Sequence, residues 1–362
     1  MKSPYKKCLL CPRRCGVDRE AGQRGYCGET ADLRIAFAGI HRGEEPPITG
    51  NGGSGTIFVS GCNLGCAFCQ NFQISQGIGN LGDAGPSPEN LGPGAGNPFQ
   101  KNHGSLGMGR IVETSEFSEI CIKLQELGAE NINIVTGSHA APALALGIEA
   151  SRKKGLFIPV LWNSSGYEGP ETLEILSCFV NVYLPDLKTL DSGFSARFFN
   201  APDYPERAAF AILRMMECQS LRFGPGRDSG TNDEACETLA SGVMVRHLVI
   251  PGCLGMTRRV LAWFSVNCAG GPGRENSAGN QAKALLSLMT QYTPIAAQGN
   301  KTGIPERYIC EDEYLAVISM LDEFGIDNGY CQELVTGSEW LPDFTRNNPF
   351  SSNLSRPLWH WR

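Results

Sequence analysis

The 362-residue sequence predicts an α/β fold, a parallel sheet or open barrel behind a cysteine-rich N-terminal stretch. Two observations carry this. From residue 56 onward, short apolar, β-branched segments alternate with stretches of helical period, the pattern of parallel strands joined by crossover helices. The first of those strands runs into Cys62, Cys66 and Cys69, placing three thiols at the strand end where such sheets carry ligands.

Taken in order, residues 1–50 are a Cys-, Arg- and Gly-rich module in which 33–40 (LRIAFAGI) can make a short strand. Residues 50–55 (GNGGSG) form a turn-rich junction. The first strand of the repeat is 55–59 (GTIFV). After the cysteines, 77–109 is dense in Gly and Pro, lacks periodic apolar residues and reads as a surface insertion. Phe117, Ile120, Cys121, Leu124 and Leu127 then mark one face of a helix, capped by Thr114 or Ser115 and ended by Gly128. Strands follow at 131–136, 157–162 and 179–184, with helices at 142–154 and 170–177 that carry Pro in their first turns. A helix at 205–218, a Gly-rich loop at 224–233, a strand at 243–250, a helix at 257–267, a loose loop at 270–281 and a strand at 284–289 complete the alternation. A last helix at 312–324 should turn Tyr314, Leu315, Val317, Ile318 and Leu321 inward. The aromatic tail, Leu358 to Trp361, should pack on the domain. The expected division is 1–50 as the N-terminal module, 51–300 as the core with its insertion, and 301–362 as a C-terminal helix and tail completing or covering the barrel.

Hydrophobic content of 41% supports a real core, and a net charge of −6 gives no global field for nucleic acid. The apolar runs fall short of a membrane span and the N-terminus lacks an apolar signal region, so the expectation is a cytoplasmic protein with neither a membrane nor a nucleic-acid partner. Fifteen cysteines in such a chain read as reduced thiols and metal ligands rather than disulfides. Cys121, Cys178 and Cys218 lie in apolar helical contexts and are expected as small core residues.

Two cysteine clusters stand apart from these. Cys62, Cys66 and Cys69 form a C-x3-C-x2-C run with no fourth cysteine nearby. Thiolates suit zinc or iron–sulfur clusters. A four-iron, four-sulfur (4Fe–4S) cluster on three cysteines keeps one iron open, whereas a structural zinc site would need a remote fourth ligand. Cys8, Cys11, Cys15 and Cys27, spaced C-x2-C-x3-C-x11-C, can close a zinc site or hold a second cluster. The ordinary reading of Arg13, Arg14, Arg19 and Arg24 is a solvated basic face. Polar residues also gather after the second strand (Thr136 to His139), the third (Asn163, Ser164, Ser165) and the fourth (Asp186, Leu187, Lys188), so four loops converge on one rim.

The C-x3-C-x2-C run, with Phe68 before its last cysteine and βα units behind it, resembles the signature of the radical SAM superfamily. The segments CPRRCGVDR, GSGTIFVSGCNLGCAFCQN, NSSGYE, YLPDLK, APDYPE, RHLVIPG and MTQYTP together resemble the PflX-like branch of pyruvate formate-lyase activating enzyme homologues, over about residues 8–76 and 110–335. The resemblance implies a partial (β/α)6 radical SAM barrel. It implies a 4Fe–4S cluster on Cys62, Cys66 and Cys69, with S-adenosylmethionine on the open iron. Reductive cleavage to a 5′-deoxyadenosyl radical and hydrogen abstraction from a substrate would follow. By the same resemblance Asp186 and Lys188 face the methionine part of the cofactor, and Asn163 and Ser164 stand beside a monovalent cation. Phe68, Ser138 and His247 join the cofactor-binding set, with His139 as a further candidate. The family's Gly-Gly-Glu element after the second strand is replaced here by Thr136-Gly137-Ser138-His139. The implied partners are a protein substrate, either a glycyl-radical enzyme or a peptide, and an electron donor of flavodoxin or ferredoxin type. The alternatives are radical modification of a small molecule or peptide, and a non-catalytic iron–sulfur or zinc carrier.

Overall fold

The computed structural model describes residues 3–75, 107–227, 236–269, 282–295, 303 and 305–362. Most of the expected insertion (77–106), residues 228–233 of the second loop and all of 270–281 lie outside the described residues.

In chain order the elements begin with β1 (Arg34–His41), α1 (Pro46–Thr49), β2 (Ser54–Val59), α2 (Phe72–Ser75), β3 (Arg110–Ile111), α3 (Thr114–Glu126), β4 (Ile132–Val135) and α4 (Ala141–Lys153). They continue with β5 (Val160–Ser164), α5 (Pro170–Ser177), β6 (Val182–Pro185), α6 (Ser192–Phe199), α7 (Tyr204–Cys218), β7 (Arg222–Pro225) and β8 (Glu237–Leu248). The last are α8 (Leu254–Asn267), β9 (Leu285–Met289), α9 (Glu311–Glu323), β10 (Gly329–Cys331) and β11 (Ser355–His360).

Strands β2, β4, β5, β6, β8, β9 and β10 lie side by side in chain order, all parallel. A sheet that grows in one direction through right-handed crossovers puts its connecting helices on a single face. The packing agrees: α3 lies on α4, α4 on α5, α5 on α7 and α8 on α9. That arrangement leaves a second face free of the crossover helices, where Leu161, Val182, Leu184, Met244 and Leu285 meet Ile48 of the four-residue α1. The result is a mixed α/β fold around a mostly parallel sheet, and the face opposite the crossover helices is its inner face.

The ends of the sheet extend past the expected six strands. β1, from the 1–50 stretch, pairs antiparallel with β2 and belongs to the same sheet. The aromatic tail is the strand β11, antiparallel to β1. Its Trp359 Nε1 donates to Glu116 Oε1 at 3.0 Å, and Arg110 stacks 4.9 Å from the Trp359 ring. The strand β10 after α9 was not anticipated.

Three expectations of burial need correction. Cys121 is fully buried, but Cys178 and Cys218 are exposed, because they cap or end α5 and α7 where the apolar stripe has turned from the core. Leu315 of α9 is 53% exposed; Val317 carries the buried face. Arg19 is 1% exposed rather than solvated, and donates to the carbonyls of Glu29, Thr30 and His139. Among the described residues no helix is long and apolar enough to cross a membrane.

Candidate functional site

The three cysteines sit where the sequence places them, on residues 60–71 between β2 and α2. The loop turns sharply at Gly61 (φ +83°) and Gly65 (φ +76°), a conformation that L side chains rarely adopt. At Gly61 an added Cβ would lie 2.6 Å from Glu29 Cγ and 2.8 Å from Cys27 O, so the N-terminal module presses directly on the residue before Cys62. Main-chain bonds hold the rest: Gly61 N to Ile74 O at 2.9 Å and Ala67 N to Phe198 O at 2.8 Å. Cys66 is buried, Cys62 and Cys69 partly so, and Cys69 Sγ lies 3.3 Å from Ser75 Oγ.

Burial pushes the Cys66 and Cys69 thiols up, the latter to about 11. Lys188 pulls both down, and the neighbouring thiols push up again. The three sulfurs, Lys188 and Asp186 therefore share one electrostatic environment. Ionised, the three sulfurs would need a cationic centre to offset their mutual repulsion and burial, and soft sulfur donors suit an iron–sulfur cluster or zinc. Among the described residues no group of three or more His, Cys, Asp or Glu side chains is arranged to hold a metal ion, and this covers both cysteine clusters.

The neighbouring strand ends supply the wall. Asp186 and Lys188 leave β6 as a partly buried ion pair, Nζ to Oδ2 at 2.5 Å. Their backbone is fixed from both sides, Asp186 N to Ser164 O at 2.9 Å and Leu187 N to Arg246 O at 2.8 Å. The fully buried Tyr204 accepts from Lys188 N at 3.0 Å, and its hydroxyl lies 2.9 Å from Asp186 O. Burial works against the Lys188 ammonium, but the Asp186 and Cys66 charges outweigh it and hold its pKa above the ordinary lysine range.

The remaining predicted residues divide between the two faces. Asn163 follows Leu161 on the inner side by strand alternation, and its carbonyl accepts from Thr136 N at 2.9 Å. Thr136 itself has φ +63°, a strained setting for a β-branched residue and one common at functional sites. Ser164 lies on the other face and accepts from Gly166 N at 3.2 Å. Ser138 donates to Glu168 Oε1 at 2.6 Å, and Trp162 Nε1 lies 3.4 Å from the same oxygen. Phe68 is buried among Phe194, Phe199 and Tyr292, an aromatic wedge that seats the loop.

His247 is not brought to the thiols. Its Nδ1 meets Leu187 O at 2.7 Å and its Nε2 meets Thr257 Oγ1 at 3.0 Å, so the ring faces α8 and both nitrogens are engaged. His139 is likewise turned into the protein, with Nε2 2.8 Å from Ser60 O. Alternation makes Arg246, not His247, the inward residue of β8. Arg246 is 5% exposed and donates to the carboxylates of Glu44 and Glu45, while Asn133 Nδ2 donates to Glu44 Oε1 at 2.9 Å.

Sequence reasoning missed Glu168, Glu44, Glu45, Tyr204 and the inward role of Arg246. None of them carried a clear signal: residues 243–250 (VMVRHLVI) are apolar at both parities, so alternation alone does not choose between Arg246 and His247. Glu168 is fully buried, which drives its carboxyl above the ordinary range against the bonds from Ser138, Ser164 and Trp162. It brings a carboxylate to Ser138 from the loop after β5.

No family model matches the chain. An uncharacterized protein of Methanocaldococcus jannaschii is 27% identical over 294 residues, which span 81% of this chain and 68% of that protein. Among solved structures, a domain of pyruvate-formate lyase-activating enzyme from Bacteroides vulgatus aligns with 53% of this chain and 91% of its own, at 15% identity and a TM-score of 0.33. Streptococcus suis SuiB aligns with 75% of this chain at 12% identity and a TM-score of 0.42, and this chain spans 47% of its length.

Proposed function

We propose that the protein is a radical SAM enzyme. What supports this reading is that Lys188 and Asp186, from the end of β6, lie within electrostatic reach of Cys66 on the three-thiol loop that follows β2. Cys62, Cys66 and Cys69 would hold a 4Fe–4S cluster with one iron open. Lys188 and Asp186 would grip the carboxylate and amino groups of S-adenosylmethionine, with Asn163 beside them and room for a monovalent cation. When bound, these groups supply one electron and a 5′-deoxyadenosyl radical, chemistry that belongs to the cofactor. The chain's own part is to orient the cofactor, exclude water from the inner face and present a substrate hydrogen.

Within that class, the sequence resemblance favours an activase that takes hydrogen from a glycine of a partner enzyme, in the cytoplasm, with a flavodoxin or ferredoxin as donor. The second reading, modification of a small molecule or peptide, draws on the N-terminal module, whose four cysteines would hold zinc or an auxiliary cluster beside the loop. Anaerobic reconstitution with iron and sulfide, followed by dithionite and S-adenosylmethionine, tests the class: 5′-deoxyadenosine should form, and Cys66→Ala should abolish it. A reconstituted protein that binds iron but yields none would reduce it to a carrier. A glycyl-radical EPR signal in an added candidate enzyme separates the activase from the second reading.

A further inference from the structure

Resting on the radical SAM reading, we propose that Arg13 is a positioning residue for the cluster-binding loop, delivered to it by the N-terminal cysteine knuckle. Arg13 lies between Cys11 and Cys15 in a tight turn, closed by Arg14 N to Cys11 O and Gly16 N to Cys8 O, both at 2.9 Å. Its guanidinium leaves the knuckle and engages four main-chain carbonyls. Two belong to the loop: Nε donates to Asn63 O at 3.0 Å and Nη2 to Leu64 O at 2.8 Å. The other two end α6: Nη2 donates to Phe199 O at 2.9 Å and Nη1 to Asn200 O. Asn63 and Leu64 lie between Cys62 and Cys66 and are both buried.

The chemistry of these acceptors explains why arginine stands here. The last carbonyls of a helix have no partner within it and carry the negative end of its dipole, so a cation is favoured. A planar fork with donors on three nitrogens can join that helix end to a neighbouring loop, which a lysine point charge cannot do. The fork is held flat, 3.8 Å from the Tyr26 ring centroid and 5.4 Å from that of Tyr167. Both tyrosine residues also bind the loop: Tyr26 Oη donates to Leu64 O at 3.2 Å, and Asn63 Nδ2 donates to Tyr167 O at 2.6 Å. The N-terminal module thus works on the thiols through the backbone that carries them. By contrast, the adjacent Arg14 is exposed and pairs with Glu171 at 3.0 Å, so it serves as a control.

The test compares full-length wild type, Arg13→Lys, Arg13→Ala and Arg14→Ala. Amide hydrogen exchange over residues 62–69 is measured before cluster loading, and the reduction potential and EPR spectrum of the cluster afterwards. Both Arg13 variants should exchange on the order of tenfold faster in that window, the effect of losing a charge-assisted bond, while Arg14→Ala matches wild type. The loaded Arg13 variants should show a shifted potential and altered EPR line shape. Arg13→Gln, which keeps a donor but loses the charged planar fork, replaces Arg13→Ala if the latter does not fold. Wild-type exchange in the folded Arg13 variants would overturn the inference. A wild type that takes up no cluster would instead overturn the radical SAM reading, and the exchange result would still stand.

Discussion

Lys188 and Asp186 are two residues apart at the end of β6, yet their side chains meet at 2.5 Å and sit within electrostatic reach of Cys66. The pair is mostly buried, with side-chain exposures of 16% and 21%. A buried pair offers little stability beyond what apolar packing would give, since desolvation offsets attraction. On the radical SAM reading proposed above, the pair would serve as a preformed zwitterion that matches an amino acid's own ammonium and carboxylate. Lys188→Met and Asp186→Asn should each weaken S-adenosylmethionine binding to the reconstituted protein by roughly tenfold or more, read by calorimetry. Wild-type affinity in both would remove the pair from the site.

Gly61→Ala should damage the thiol loop without touching a thiol. The left-handed turn alone costs an L residue about 1–2 kcal/mol. The added methyl would also meet Glu29 Cγ at 2.6 Å and Cys27 O at 2.8 Å. Expected are a lower iron-to-protein ratio after reconstitution and a stability loss of about 1–3 kcal/mol in urea. Full iron retention would mean that the module and loop separate freely.

The βα rhythm was legible because its strands are short β-branched runs and its helices carry Pro near their starts; the helix at 170–177 falls where the pattern puts it. β11 was not, since SRPLWH places a proline inside a strand. That residue is tolerated because β11 is an edge strand paired only with β1. The cysteine loop and Asp186–Lys188 could be read because each is a local motif. Glu168 and the Glu44–Glu45 pair could not, because their meaning lies in partners 30 and about 200 residues away. Arg13 and Arg19 looked like solvent-facing charge for the same reason: composition does not reveal which carbonyls a guanidinium will find.

Arg246 should prove expensive to remove and cheap to replace along with its partners. Arg246→Met leaves the Glu44 and Glu45 carboxylates facing a low-dielectric inner face without their cation. Breaking such a buried group costs about 3–5 kcal/mol, whereas exchanging all its members for apolar residues of similar size is often neutral. Urea denaturation of Arg246→Met and of a variant that also carries Glu44→Leu and Glu45→Leu measures the difference. Equal losses in both would show that the cluster's charges are solvated and uncoupled.

Acid should destabilise the protein through His139. Burial lowers its pKa to about 3, Arg19 adds to the effect, and the bond to Ser60 O opposes it. The ring is therefore neutral in the folded chain down to strongly acid pH, while in the unfolded chain it takes a proton near the ordinary value of 6.5. The unfolded state binds more protons across that interval, so stability is full above pH 6.5 and falls as pH drops towards 3. His247, lowered to about 4 by burial, adds a loss of the same sign. Glu29 works the other way: burial raises its carboxyl to about 7 from 4.5, so its contribution is present below 4.5 and lost as pH rises to 7. The difference between wild type and His139→Gln cancels the other groups. Gln can still donate to Ser60 O but does not titrate, so the variant's urea midpoint should fall less steeply between pH 6.5 and 4 than that of wild type. Parallel profiles would mean that the histidine has the same pKa in the folded and unfolded chains.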